Sequence, residues 1–385
     1  MTIKNLYPTQ RPALDLNFAN SKRLDPRVSL TRASVGTYVG NDGLIKYATA
    51  GEARFDHDPL TGESLGLFVE ESSTNLFDYS VDVSQWTTVG GANWTATPNS
   101  ITAPDGTLTG GKVVPIVGTI FQQIGRSLTW TSGVTYSVSF FAKDAGMGAV
   151  QIHCFNQINR GEFDLVNGTS SIVTTGLSTS ITPFPNGWYK CVYIFTAGST
   201  TTGSAGLRIP TGFTPDGVEG IYAWGFQVEA LAFSSSYIPT TGSTVTRAAD
   251  VASITGSNFS SWYNQSEGAI FSESRTSDSH HTIWSMGPSW QNRIQKEVVT
   301  VKGQNNFSGV SSSGNFDKIA LPIATGTCPL YKNGSLYTNY NGGSTETANI
   351  FYVGRSDGRY TSGHISRLTY YSTRLSDTIL QNLTL

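Results

Sequence analysis

Apolar and polar positions alternate along this chain in short blocks, and turn residues separate the blocks. Residues 135–142 (TYSVSFFA), 149–155 (AVQIHCF), 188–195 (WYKCVYIF) and 220–228 (GIYAWGFQV) carry the β-branched and aromatic residues that suit a pleated, half-buried surface. Within 188–195, Tyr189, Cys191, Tyr193 and Phe195 alternate with Lys190, Val192 and Ile194, so both faces hold apolar groups. Asp105-Gly106, Asn167-Gly168, Asn186-Gly187 and Asp216-Gly217 punctuate the region. This spacing predicts a β-sandwich of jelly-roll type over residues 81–240. A second sandwich is predicted over residues 256–385, from strands at 268–273, 282–286, 297–302, 350–353 and 365–371. There Lys332-Asn333-Gly334 predicts a hairpin, because Asn-Gly supplies both positive φ angles of a type I′ turn. A helix is predicted at the C-terminal end: Ser376 stands at the cap, Asp377 favours the positive end, and Ile379, Leu380 and Leu383 share a face.

Between these regions, Tyr237-Ile238-Pro239 should stop a sheet, since proline lacks the ladder donor. The small polar run after it predicts a linker over 241–255. Residues 1–80 hold thinner apolar content. A hairpin around Asn41-Asp42-Gly43 and a strand at 65–70 predict an N-terminal β-arm, packed on the first sandwich or on a neighbouring subunit. The predicted fold class is therefore all-β, with two β-sandwiches preceded by this arm.

Composition narrows the function. Charged residues are 14% of the chain and the formal net charge is −2, which gives no overall pull toward nucleic acid or anionic lipid. No apolar run is long enough for a membrane span, and the first residues lack a secretory apolar core, so synthesis in a cytoplasm is expected. Cys154, Cys191 and Cys328 have no CxxC spacing and read as core residues.

No catalytic pattern emerges. A glycosidase needs two carboxylates across a scissile bond, but Glu70 and Glu71 are adjacent and diverge on a strand, while Asp56 and Asp58 read as solvated turn carboxylates. His280 and His281 diverge likewise, and His153, alternating with Cys154, reads as a sheet-surface residue. No Gly-x-Ser-x-Gly elbow or phosphate loop occurs. No cofactor is expected; Asp- and Asn-rich turns offer calcium hard oxygens, without an EF-hand-like string. The aromatics, 8 Trp, 17 Tyr and 19 Phe, are more informative, because a flat ring with a polar tip suits a sugar. Trp188 and Trp224 read as core. Trp284, Trp290, Tyr337, Tyr340 and Tyr360 lie near turns and are the glycan-binding candidates.

Several strings resemble known proteins. Arg32-Ala33-Ser34 through Tyr38, Asp42-Gly43-Leu44-Ile45, Arg54-Phe55-Asp56-His57-Asp58, and Leu67-Phe68-Val69-Glu70-Glu71 to Asn75-Leu76 resemble the N-terminal module of many bacteriophage virion proteins. Tyr237-Ile238-Pro239-Thr240 to Arg247-Ala248-Ala249-Asp250 is similar to strings in the same group. Residues 86–113, with Ala103-Pro104-Asp105-Gly106, and Gly187-Trp188-Tyr189 resemble a carbohydrate-binding-module jelly roll. Tyr331-Lys332-Asn333-Gly334-Ser335-Leu336, Phe351-Tyr352-Val353-Gly354-Arg355, Gly363-His364-Ile365 and Arg374-Leu375-Ser376-Asp377 resemble a laminin-G-like, concanavalin-type lectin sandwich.

The resemblance implies a non-enzymatic virion protein, tail-fibre-like, fastened to other virion proteins by its N-terminal arm and displaying sandwiches toward a host-surface glycan. It also implies a homotrimer; the charge balance and the missing apolar span argue against nucleic-acid binding and membrane insertion. A capsid-decorating fibre or knob is the first alternative. A polysaccharide depolymerase is the second, though the stacked-turn period of a parallel β-helix is missing.

Overall fold

The computed structural model describes residues 10–88, 94–118, 123–154, 159–276, 282–287, 292–295, 299–301, 304–307, 316–342, 347–356 and 359–385. The chain is all-β, built as two sandwiches. The first packs two six-stranded sheets. One runs in the order Ser178–Phe184, Trp188–Thr196, Thr135–Ala145, Gly220–Glu229, Gly110–Pro115, Trp94–Ile101. The other runs Thr169–Ile172, Asn159–Asp164, Ala149–Cys154, Thr201–Arg208, Gln123–Trp130, Thr87–Thr88. Their inner faces meet over Phe140, Phe163, Cys191, Tyr193, Phe195 and Phe226, all fully buried. Strand residues of alternate parity form that core, as the period of two requires.

The second sandwich takes strands from both ends of the chain. Its eight-stranded sheet is centred on Gly268–Thr276 and Gly363–Tyr371. Leu14–Asn17, Ser64–Val69 and Arg54–His57 extend the same sheet: Leu16 lies opposite Leu368, and Leu67 opposite Ile365. In the facing sheet, Ser29–Thr31 pairs with Val251–Thr255. The region expected as an arm over residues 1–80 is thus divided: Leu14–Asn17, Ser29–Thr31, Arg54–His57 and Ser64–Val69 are built into the C-terminal sandwich, while Ile45 packs on an apolar cluster of the first sandwich and Phe77 enters its core. Its apolar content is thin because Leu14, Leu16, Phe18, Leu67 and Val69 complete a core whose other half lies some 200–350 residues away in sequence.

The stretch 241–255 is likewise no free tether. Val245–Arg247 pairs with Ser73–Asn75, and Val251–Thr255 enters a sheet. Around it, Arg32, Arg54, Glu70, Arg247 and Asp250 meet in one buried ionic junction. Arg54 lies 2.6 Å from Glu70 and also bonds Asp250; Arg32 lies 2.8 Å from Asp250. Arg247 lies 3.4 Å from Glu70, and every side chain in the set is at most 1% exposed. Ser236 adds two bonds to Glu70, from its N–H (2.7 Å) and its hydroxyl (2.6 Å), while among the described residues Arg54 Nε and Arg247 Nε and Nη2 stay without a hydrogen bond. Such charges tolerate burial only when paired and hydrogen-bonded.

Beside the junction, Trp188, Trp224, Phe141, Phe184 and Tyr237 form an apolar cluster with Ile45 of the hairpin Gly36–Val39/Ile45–Ala48. Trp188 and Trp224 are buried as expected, yet they pack on the outer face of the first sandwich, with Ile45 of the hairpin and Tyr237, rather than in its core. The hairpin turns form as expected: Gly43 has φ 75, and Asn333 and Gly334 have φ 46 and 80. The three cysteines are buried, and among the described residues none forms a disulfide. Asp377–Leu383 is helical, and Leu380 packs on Ala320 and Tyr331. Among the described residues no helix is long and apolar enough to cross a membrane.

Candidate functional site

The expected loop aromatics do not assemble. Trp284 is fully buried and stacks on Phe351, because Thr282–Met286 is an interior strand rather than a turn flank. Tyr340 is 3% exposed, with its hydroxyl on the Pro322 carbonyl. Tyr337 is exposed on Ser335–Gly342, whereas Tyr360 lies under the Arg355 guanidinium in a separate two-stranded ribbon. Trp290 falls outside the described residues.

A different set converges on the outer face of the first sandwich. Core-facing Val150, Ile152 and Cys154 leave Gln151 and His153 pointing away from the core. Register then aligns two rows. Gln123, Arg208, Gln151 and Glu162 lie side by side across four strands; Gly125, Gly206, His153 and Arg160 form the next row. A sheet exterior is normally wet, yet Gln123 and Gln151 are 1% exposed and His153 is 0% exposed, which corrects its reading as a surface residue.

Some of this polarity is satisfied. Gln151 donates to Glu162 (2.7 Å) and Thr211 (2.9 Å), and Ser204 approaches His153 Nδ1 at 3.4 Å. Four buried atoms here have no partner among the described residues: Gln123 Oε1, Gln151 Oε1, His153 Nε2 and Arg160 Nε. Buried polar atoms are nearly always paired, so a cluster of orphans on one face marks a place where something else supplies the bonds. Burial, together with the Arg208 and Arg160 guanidinium groups, pushes His153 down to about 3, leaving a neutral imidazole. Burial and the charge of Arg160 lower Arg208. Gly125 and Gly206 keep the floor beside His153 free of side chains. A Cβ there would meet the Ala205 carbonyl at 2.0 Å and the Ile124 carbonyl at 2.1 Å respectively. Amides, a neutral imidazole and guanidinium groups offer donors and acceptors in fixed positions, which suits a polyhydroxylated ligand.

A second concavity, a cleft of about 660 Å³, separates the sandwiches. Lys190, Val192 and Ile194 form one wall, which explains the apolar groups on both faces of 188–195: one face serves the core, the other this cleft. Asp56, expected as a solvated turn carboxylate, is 7% exposed on the opposite wall. It accepts from the Val39 N–H (2.5 Å) and lies 2.6 Å from His364 Nε2. Asp58 does act as a turn carboxylate, accepting from the N–H groups of Leu60 and Thr61. Among the described residues no three His, Cys, Asp or Glu gather as metal ligands.

The sequence shows Gln151 and His153 at polar positions of a strand. It does not show that Gln123, Arg160 and Arg208 stand beside them, because that depends on strand order and register.

No protein-family model and no curated protein matches the chain. Among solved structures, it is similar to domain 4 of AbnA, a GH43 extracellular arabinanase from Geobacillus stearothermophilus, in complex with arabinotriose. That likeness has 15% identity and a TM-score of 0.28, over 40% of this chain and 81% of that one. It is also similar to the CBM22-1-CBM22-2 tandem of Paenibacillus barcinonensis Xyn10C, at 10% identity and TM-score 0.26, over 80% of this chain and 100% of that one. Mouse laminin α1 domains LG4-5 match at 9% identity and TM-score 0.19, over 79% and 88%.

Proposed function

We propose that this chain is a non-enzymatic, glycan-binding structural protein of a bacteriophage virion, a tail-fibre-like adhesin that attaches through its N-terminal region and presents its sandwiches to the host surface. The observation that carries the binding is the pair of polar rows on the first sandwich, with its unpaired buried amide, imidazole and guanidinium atoms. A sugar's hydroxyl groups donate and accept at once, so they match orphans of both kinds. The virion role is supported by the phage-like strings, which meet in the buried junction. Binding through one such face is weak, and a trimer on a particle carrying many copies multiplies it.

A glycan array on the purified protein tests the binding. Neutral oligosaccharides should bind the wild type, and Gln123→Ala and Arg160→Ala should each weaken that binding about tenfold, the cost of roughly one lost hydrogen bond in a dry site. Light scattering should give a trimer. Gold labelling of particles should place the chain on the tail; label on the head would favour a capsid decoration. New reducing ends after incubation with host polysaccharide would sink the non-enzymatic reading.

A further inference from the structure

The cleft between the sandwiches holds groups that the rest of the fold leaves unused. Lys190 Nζ donates to the Ser235 carbonyl at 3.2 Å, and among the described residues it makes no ion pair. The carboxylates that act on it electrostatically are Glu229, Glu70 and Asp56, and each is committed elsewhere. Glu229 accepts from Ser73 and Ser235, Glu70 from Arg54 and Ser236, and Asp56 from Val39 and His364. The ammonium therefore faces the cleft with donors to spare.

The opposite wall carries the complementary want. His57 Nδ1 lies 3.1 Å from the Val39 carbonyl. A carbonyl only accepts, so Nδ1 holds the proton in the neutral ring and Nε2 is an acceptor. His57 is 6% exposed, and among the described residues its buried Nε2 has no partner. Ser178, Ser180 and Thr182 line the same space on the edge strand.

We propose that this cleft is a binding site for a small acidic sugar, whose carboxylate meets Lys190 and whose hydroxyl donates to His57. Its volume falls in the range of small-molecule sites. Of the other charged residues in the walls, Glu70 is held by Arg54 and Ser236, and Arg275 acts on Asp58, so Asp56 and Asp58 disfavour a multiply charged phosphate while a single carboxylate suits the Lys190 ammonium. The site is separate from the polar face of the first sandwich and does not depend on it.

Calorimetry on the full chain tests the proposal, using the disaccharides of galacturonic, glucuronic and mannuronic acid, with galactobiose as the neutral control. At least one uronate should bind wild type and raise its melting temperature. Lys190→Met and His57→Phe should each weaken that binding tenfold or more, and Arg160→Ala on the polar face should leave it unchanged. The proposal is overturned if all three uronates fail to bind, if binding survives in Lys190→Met, or if Arg160→Ala abolishes it and so moves the ligand to the other face. Failure of neutral glycans to bind the wild type, with uronate binding intact, would count against the polar face alone.

Discussion

His153 and Glu70 are buried for different reasons and answer pH in different windows. The neutral form of His153 is held by burial and two guanidinium groups, with its pKa down to about 3 from an ordinary 6.5. The unfolded chain therefore binds a proton that the folded chain refuses, and stability falls as pH drops from 6.5 toward 3. At its steepest the slope is about 1.4 kcal/mol per pH unit for one proton. Glu70 is brought down to about 2 from 4.5: burial opposes ionisation, but Arg247, Arg54 and the Ser236 bonds overcome it. Its contribution is complete above pH 4.5 and is lost as pH falls toward 2. Urea titrations at stepped pH should show His153→Gln flattening the profile between pH 6.5 and 4.5. Glu70→Gln should flatten it only below 4.5, while costing roughly 3–5 kcal/mol at neutral pH by leaving buried arginines unpaired. If both variants flattened the same window, the assignment of causes would be wrong.

At the scale of elements, close approach decides where the two ends of the chain meet. Gly66 lies in Ser64–Val69 with φ 96, and a Cβ there would meet the Ile365 carbonyl at 2.3 Å. Only glycine lets this N-terminal strand lie against Gly363–Tyr371. Gly133 has a similar φ of 76 but open space around it. Gly133→Ala should cost about 1 kcal/mol, the conformational penalty alone, and Gly66→Ala about 2–4 kcal/mol, since strand separation adds to it. Chemical denaturation checks the difference, and equal costs would contradict the close approach.

For the molecule as a whole, the ionic junction ties the segment that leaves the first sandwich, through Ser236, Arg247 and Asp250, to Arg54 and Glu70 beside the second. Arg247 sits in a Thr- and Ser-rich stretch that reads as an open tether, yet it is 1% exposed. A protease specific for Lys and Arg should leave the native chain uncut there, and early cleavage at Arg247 would show the junction to be loose. A fragment of residues 256–385 lacks the strands Leu14–Asn17, Ser29–Thr31, Arg54–His57 and Ser64–Val69 that complete both sheets of the second sandwich. It should show no cooperative thermal transition by circular dichroism; a sharp one would mean that the N-terminal strands are dispensable.

Alternation of apolar and polar positions was enough to determine the all-β class, most strands of both sandwiches, the Asn333-Gly334 turn and the burial of the cysteines, because a period of two and a positive φ are local properties. Partnership was decided by tertiary structure alone. Arg32, Arg54, Glu70, Arg247 and Asp250 are separated by up to 218 positions and meet in one dry pocket. Gln123, Arg160 and Arg208 reach His153 only through strand order and register. Trp284 and Tyr340, attractive as loop aromatics, went to the core, because what covers a ring depends on the opposite sheet. A residue's own neighbours in sequence fix which way it points; what stands in front of it is set by chain segments a long way off.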